Sequence, residues 1–363
     1  MIQAYLPPLI IAAIITGGLT YYVKKIAFKL NAVDLPSPRK IHPKPVPRLG
    51  GLAMVGGFLF LLIGYSLASP RLGFSINKIW FMDSYLFGAI LGMFVLLVLG
   101  YLDDRRGIKA WKKLFWQIIA ASIAVGFGAS INYIRLPGGL HANFDQLVLP
   151  LSIFGLHFNF VVWADILTVF WIVLMINTLN FLDGLDGLAS GISAIAGIVI
   201  FFLSISLGQD ANALLSLLFT GVVLGFLPWN FNPAKIFMGD TGSMFLGYTL
   251  GILSVISGGK LETAFLVLGI PLLDVGWVIL RRIMSGHSPF EADKLHLHHR
   301  LLTSGLNQKQ AVILLYLVSA FFGAIAILNT TDKKIQAIWW LVGLMLALIV
   351  AMLVLECRKR RKN

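Results

Sequence analysis

The sequence predicts an all-α integral membrane protein of about eleven transmembrane helices, with the N-terminus outside and the C-terminus cytoplasmic. Three observations predict it. Of the 363 residues, 58% are hydrophobic and only 12% are charged, whereas a soluble domain carries roughly 25% charged residues. About eleven apolar stretches approach the ~20 residues that a helix needs to cross the hydrocarbon core. When these stretches are threaded through a bilayer, all but six of the 29 Lys and Arg residues fall on one side.

The stretches run over 5–23, 50–68, 84–102, 114–132, 159–178, 188–207, 211–229, 241–257, 262–280, 310–329 and 336–356. The first has no basic segment before it and no small-residue cleavage site after it, so it reads as a retained span. The stretch 241–257 is short and Gly-rich, which predicts tilt or local irregularity. Loops after the odd-numbered spans, together with the C-terminal tail, hold most of the positive charge. The other side holds Arg71, Lys78, Arg135, Lys260, Lys333 and Lys334. Short basic loops stay in the cytoplasm, and both chain ends then agree with an odd number of spans.

No internal repeat or low-complexity tract interrupts the pattern, and the chain reads as one membrane domain over 1–363. The outer loop 133–158 contains Pro137-Gly138-Gly139 and alternating apolar residues from Phe144 to Leu151, which predicts a small hairpin. The net charge of +13 would suit a nucleic-acid partner if it were clustered on a soluble surface. It sits in loops beside membrane segments instead, so no nucleic acid is expected. The single cysteine, Cys357, allows no disulfide within the chain.

The polar residues are the informative ones. Asp103 and Asp104 end the third span; Asn177, Asn180, Asp183 and Asp186 follow the fifth; Asn230, Asn232 and Asp240 follow the seventh. Asp274 lies low in the ninth, and His296, His298 and His299 sit in the next loop. All belong to the cytoplasmic loops, about 24–49, 103–113, 177–188, 230–241 and 281–309. Ionisable groups at membrane depth are costly and mark function by default. Any one of these aspartates alone would pass as a helix cap. Together on one face they would repel one another, and a divalent cation relieves that repulsion. Hard oxygen donors favour Mg²⁺, or Mn²⁺, over Zn²⁺.

In Asn177-Thr-Leu-Asn180-Phe-Leu-Asp183-Gly184-Leu-Asp186-Gly187, a continued helix would place Asn180, Asp183 and Asp186 along one side. The glycines instead permit a break or a close backbone approach. Phe237-Met238-Gly239-Asp240-Thr241-Gly242-Ser243 leads Gly-rich chain into a helix, whose first N–H groups can receive phosphate. The Asp-Thr-Gly string also occurs in aspartic proteases, but those need two copies in soluble β-rich lobes. The run Arg281-Arg282, His287 and His296-Leu297-His298-His299-Arg300 has no Cys, so it suits a pyrophosphate better than a transition metal. The first loop carries Arg39, Lys40, His42, Lys44 and Arg48 among five prolines; some of these charges simply set topology against anionic lipid. Acidic groups for a metal and basic groups for phosphate, beside a lipid-facing groove, are the parts of phosphoryl transfer to a lipid.

These strings resemble the polyprenyl-phosphate N-acetylhexosamine-1-phosphate transferases, glycosyltransferase family 4. The resemblance rests on Asp34-Leu-Pro36, Arg39-Lys40, His42 and Pro45-Val-Pro47-Arg-Leu-Gly50-Gly51, then Asp103-Asp104 and Asn177 to Ala189. It continues through Asn230-Phe-Asn-Pro233-Ala234 to Ser243 and ends at His296-Leu-His298-His299, so it covers nearly the whole chain in order.

The resemblance implies an Mg²⁺-dependent enzyme (Mn²⁺ as a substitute) in the bacterial inner membrane, embedded in lipid and acting at the cytoplasmic face. It implies Asp240 as main metal ligand with Asn180 as a second. Asp103 and Asp104 would lie at the acceptor phosphate, as base or in orienting it. Asp183 and Asp186 would shape the nucleotide site, with Phe237 against the uracil and Asn230 and Lys113 nearby; Asn177 belongs to the same string. His296 and Lys44 would approach the pyrophosphate, with His298, His299 and Arg300 adjoining. The resemblance also implies a homodimer. The His-Leu-His-His loop is similar to the branch that transfers N-acetylglucosamine-1-phosphate from UDP-N-acetylglucosamine to undecaprenyl phosphate. The peptidoglycan branch, which takes UDP-N-acetylmuramoyl-pentapeptide, has three adjacent His and a Thr-Met-Gly-Gly string where this chain has Arg48-Leu49-Gly50-Gly51. The peptidoglycan-branch activity, phospho-N-acetylmuramoyl-pentapeptide transfer, and another UDP-N-acetylhexosamine donor are the alternatives. A transporter would place its polar groups near the midplane and often shows repeats; neither is seen.

Overall fold

The computed structural model describes residues 4–36, 44–68, 73, 78–135, 140–153, 156–256, 261–286, 297–329 and 331–360. The helices in chain order are α1 (Leu6–Lys29), α2 (Gly50–Ala68), α3 (Ser84–Arg106), α4 (Ala110–Gly126), α5 (Val162–Leu182), α6 (Leu188–Ser206) and α7 (Asp210–Asn230). They continue with α8 (Gly239–Ile256), α9 (Leu261–Val267), α10 (Gly269–Met284), α11 (Leu297–Thr303), α12 (Gln308–Leu328) and α13 (Thr331–Arg360). Local sequence sets several ends. Asp83 caps α3 by accepting the Tyr85 N–H at 2.9 Å, and Asn307 with Gln310 forms a reciprocal capping box on α12.

Among the described residues seven helices are long and apolar enough to cross a membrane, or eight if α9 and α10 count as one bent span. The chain is therefore a multi-pass helical membrane protein. The expected spans 114–132, 241–257 and 336–356 correspond to α4, α8 and α13. Of these, α4 has 17 residues and α8 has 18. The expected continuous span 262–280 is instead broken at Leu268, where α9 and α10 meet at 83°. Pro271 has no N–H to continue the ladder into α9. Gly269 lets Leu341 of α13 into the corner, where a Cβ would meet the Leu341 side chain at 2.4 Å.

Short two-stranded hairpins interrupt the helices: β1 (Val33–Asp34) with β2 (Val46–Pro47), β3 (Lys78–Ile79) with β4 (Met82–Asp83), β5 (Tyr133–Arg135) with β6 (His141–Asn143), and β7 (Val148–Ile153) with β8 (Leu156–Val161). The expected outer hairpin over 133–158 is thus two hairpins, the second reaching Val161.

The middle of the bundle is α8. It is buried along nearly its whole length and packs against α2, α3 and α5. Small residues permit this. A Cβ on Gly51 would lie 2.2 Å from the Gly242 nitrogen, and one on Gly100 would lie 2.4 Å from the Thr241 Cα. Backbones at such distance gain dispersion contact that lipid cannot supply, which is why small residues line helix interfaces in membranes. The same contacts draw the polar ends of α2, α3, α5 and α8 to one end of the bundle. In contrast, α1 is mostly exposed, as a lipid-facing helix should be.

Candidate active site

The polar end is built around Lys113, near the start of α4. Its Nζ donates to Asp103 Oδ2 at 2.7 Å and to Asp240 Oδ2 at 2.7 Å. Asp103 stands at the end of α3, and its other oxygen accepts the Ile108 N–H, which folds the short α3–α4 connection back over it. Two carboxylates thus share one ammonium. Burial alone would lower the Lys113 pKa, but the Asp240 and Asp103 carboxylates outweigh it and raise it. For Asp240 burial pushes upward, yet its contacts with Asp103 and the Lys113 ammonium hold it below the usual carboxylate range.

Asn180, on the last turns of α5, donates to Ser243 Oγ at 2.9 Å and lies close enough to Asp240 to help hold its carboxylate pKa down. Ser243 in turn donates to the Asp240 carbonyl at 3.3 Å, one helical turn along α8. Asp183 caps the end of α5. Burial first, and then the carboxylates of Asp240 and Asp104, push its pKa well above the usual range against the pull of Arg48.

Asp104 turns the other way from Asp103. Its Oδ1 accepts the Asp240 N–H at 2.8 Å, and its Oδ2 accepts the Thr241 N–H at 3.2 Å and the Thr241 hydroxyl at 2.8 Å. These first N–H groups of α8 were expected to be available to phosphate. The structure gives them to Asp104 instead: a helix start needs acceptors, and this carboxylate supplies them.

The next ring of residues organises loops. Asp186 Oδ2 accepts from Asn232 Nδ2 at 2.9 Å and from the Ala234 N–H at 3.1 Å; Asn232 also donates to Gln308 Oε1 at 2.7 Å. Asn230 is buried at the end of α7. Its Oδ1 accepts from the Gly187 N–H and Ser190 Oγ, and its Nδ2 donates to the Ile236 carbonyl. Asn177, one turn inward from Asn180, donates to Gln117 Oε1 and to the Val173 carbonyl, both at 2.8 Å. The Phe237 backbone ties this end to α2: its N–H reaches the Pro47 carbonyl at 2.8 Å, and its carbonyl receives the Gly50 N–H at 2.9 Å. Lys44 is exposed at the start of that segment.

Of the basic loop, His296 and His287 lie outside the described residues, as do Arg39, Lys40 and His42. His298 and His299 belong to α11, whose start is held by Asp274: its Oδ1 accepts the Leu297 N–H at 2.9 Å. Arg300 is buried in the same helix, which packs on α12.

Thus Asp103, Asp104, Lys113, Asn180, Asp183 and Asp240 come together, while Asn230 and Asp186 face loop backbone and Asn177 faces α4. Sequence reasoning left Ser243, Thr241 and Gln117 out of the site. Ser243 lies three residues after Asp240 and Gln117 four after Lys113, so helical spacing was the available signal.

The donor set fits the implied metal. Asp240 offers a carboxylate, and Asn180, with its Nδ2 donating to Ser243, offers an amide oxygen. Among the described residues no group of three or more His, Cys, Asp or Glu is arranged to hold an ion. An ion here would take its other ligands from water and phosphate, as Mg²⁺ does in phosphoryl-transfer sites.

Comparison with known proteins identifies the family. Residues 86–258 match the family described as glycosyl transferase family 4. A "Probable undecaprenyl-phosphate N-acetylglucosaminyl 1-phosphate transferase" of Bacillus subtilis (strain 168) is 34% identical over 97% of this chain and 90% of its own length. A "Decaprenyl-phosphate N-acetylglucosaminephosphotransferase" of Mycolicibacterium smegmatis is 34% identical over 84% of this chain and 77% of its own. The "Undecaprenyl-phosphate alpha-N-acetylglucosaminyl 1-phosphate transferase" of Escherichia coli (strain K12) is 28% identical over 85% and 79%. With that coverage, end to end, on a helical membrane bundle whose aspartates, lysine and asparagine meet at one pole, the chain belongs to glycosyl transferase family 4.

Proposed function

We propose that this enzyme transfers N-acetylglucosamine-1-phosphate from UDP-N-acetylglucosamine to undecaprenyl phosphate, releasing UMP and starting a cell-envelope glycan. The observation that carries the reading is the Lys113 ammonium 2.7 Å from both Asp103 and Asp240, on a chain 34% identical to the Bacillus subtilis relative. In the reaction an oxygen of the lipid phosphate bonds to the sugar-bearing phosphorus of the donor. The bond from that phosphorus to the bridging oxygen breaks, and that oxygen leaves with UMP.

Each residue has a role in this reading. Mg²⁺, or Mn²⁺, held by Asp240 and Asn180 supplies charge neutralisation at the transferring phosphoryl group. Lys113 holds the Asp103 and Asp240 side chains side by side. Asp103 orients the acceptor phosphate. Asp183 and Asp186 shape the nucleotide site with Phe237, while Lys44 and His296, with the neighbouring His298, His299 and Arg300, meet the pyrophosphate. Eleven spans with the N-terminus outside put this pole at the cytoplasmic face of the inner membrane, where the nucleotide is; the one-sided Lys and Arg support that orientation.

A side-by-side assay of the purified protein with undecaprenyl phosphate tests the donor. UDP-N-acetylglucosamine with Mg²⁺ should give UMP and a lipid-linked sugar, and UDP-N-acetylmuramoyl-pentapeptide should give neither. Turnover of the pentapeptide donor alone would move the chain to the peptidoglycan branch.

A further inference from the structure

Helix α8 starts without a cap of its own. Its first N–H groups have no acceptor within the helix, and the preceding residue is the buried, apolar Met238, where Ser, Thr, Asp or Asn usually stands. The acceptor comes from a different helix, 136 residues earlier in the chain. Asp104 accepts from the N–H groups of Asp240 and Thr241 and from the Thr241 hydroxyl, three hydrogen bonds to one carboxylate. A carboxylate in this place also faces the positive end of the α8 dipole.

Two glycines shape the chain for this contact. Gly239 has φ of +67°, and a Cβ there would lie 2.5 Å from Asp104 Oδ1 and 2.6 Å from Oδ2. Gly100, one turn before Asp104 on the same face of α3, gives up its side chain where Thr241 presses in. Approach and cap are therefore parts of one joint between α3 and α8. The neighbouring Asp103, roughly 100° around the helix, faces Lys113 instead.

We propose that Asp104 is a positioning residue: it fixes the first turn of α8, and through it the Asp240 carboxylate, and it does not contact the acceptor phosphate. The two adjacent aspartates then divide the work, Asp103 toward the reacting groups and Asp104 toward the helix that carries the metal ligand. In kinetic terms this rests on the transferase reading above; in structural terms it does not.

The experiment pairs amide hydrogen exchange with steady-state kinetics on the full-length protein in detergent. Exchange is read without metal or substrates, on the Asp240 and Thr241 amides. In Asp104→Ala these two amides should exchange roughly tenfold faster or more, the scale of a lost cap, with the α12 amides unchanged. Its kcat should fall about a hundredfold, with the KM for undecaprenyl phosphate within about twofold, as for an interaction lost in the transition state alone. Thr241→Val removes only the hydroxyl bond and should shift both readouts in the same direction by about threefold, even if Asp104→Ala fails to fold. Unchanged amide exchange in both variants would overturn the proposal. So would a rise of about tenfold or more in the undecaprenyl phosphate KM, which marks lost ground-state binding. A wild-type protein that released no UMP would sink the transferase reading but leave the exchange result to stand or fall alone.

Discussion

Asn177 and Gln117 meet side chain to side chain, Nδ2 to Oε1 at 2.8 Å, one turn deeper in the bundle than Asn180 and Lys113. Gln117 is almost fully buried, at 3% exposure. The pair joins α4 to α5 at the level where α4 must hold Lys113 against Asp240. In hydrocarbon surroundings such interhelical bonds are worth about 0.6 kcal/mol on average, and up to about 2. Gln117→Leu should therefore cost about 1 kcal/mol in thermal unfolding and lower kcat several-fold by loosening Lys113. The double variant with Asn177→Leu should be little worse than either single one, and additive losses would show that the two side chains act separately.

Lys113→Met removes the positive charge placed between Asp103 and Asp240. The two carboxylates are then left to repel each other in a partly buried site, and one of them takes up a proton. UMP release should fall about a hundredfold or more, as when a charged group is lost from a preorganised site. Lys113→Arg keeps the charge but not its compact geometry and should recover only part. Single-turnover assays on both variants check this.

The backbone contacts of α8 make a steric prediction. A Cβ at Gly100 meets the Thr241 backbone at 2.4 Å, while one at Gly56 of α2 meets nothing within 4 Å. Gly100→Ala should destabilise the protein by about 1–3 kcal/mol through overpacking and depress activity, because α3 and α8 carry opposite halves of the site. Gly56→Ala should stay within about 0.5 kcal/mol of wild type. Melting curves in detergent separate the two.

Asp186 holds the α7–α8 connection through Asn232 and Ala234. Asp186→Ala should loosen that loop where the donor's nucleotide is proposed to sit. The KM for UDP-N-acetylglucosamine is expected to rise roughly tenfold, with the KM for undecaprenyl phosphate unchanged, the pattern of lost ground-state binding. Initial rates against each substrate in turn give the answer.

Much of this was legible in the sequence, for a physical reason. Polar residues stranded at the ends of apolar stretches have few ways to be satisfied, so the sequence alone points Asp103, Asn180, Asp183 and Asp240 to a common pole. What was not legible is the direction each group faces. Asn230 and Asp186 read from sequence as groups for a substrate, and the structure shows their polar atoms holding the loop at 231–236 and the start of α6. Asp103 and Asp104 read as equivalent, and only tertiary structure turns one to Lys113 and the other to α8. The break at Leu268 lay hidden in an unbroken apolar run, although Pro271 was a signal for it.

The central claim is that Asp240 anchors one site where a sugar phosphate passes from nucleotide to lipid. The most direct measurement is the ratio of UMP released to lipid-linked sugar formed, with Mg²⁺ present, for wild type and for Asp240→Asn. The account predicts a ratio near one in wild type, loss of both products on chelation with EDTA, and about a hundredth or less of wild-type turnover in Asp240→Asn, the scale for losing a charged group at the reacting centre. Full turnover by Asp240→Asn, or UMP released without any lipid-linked sugar, would contradict it.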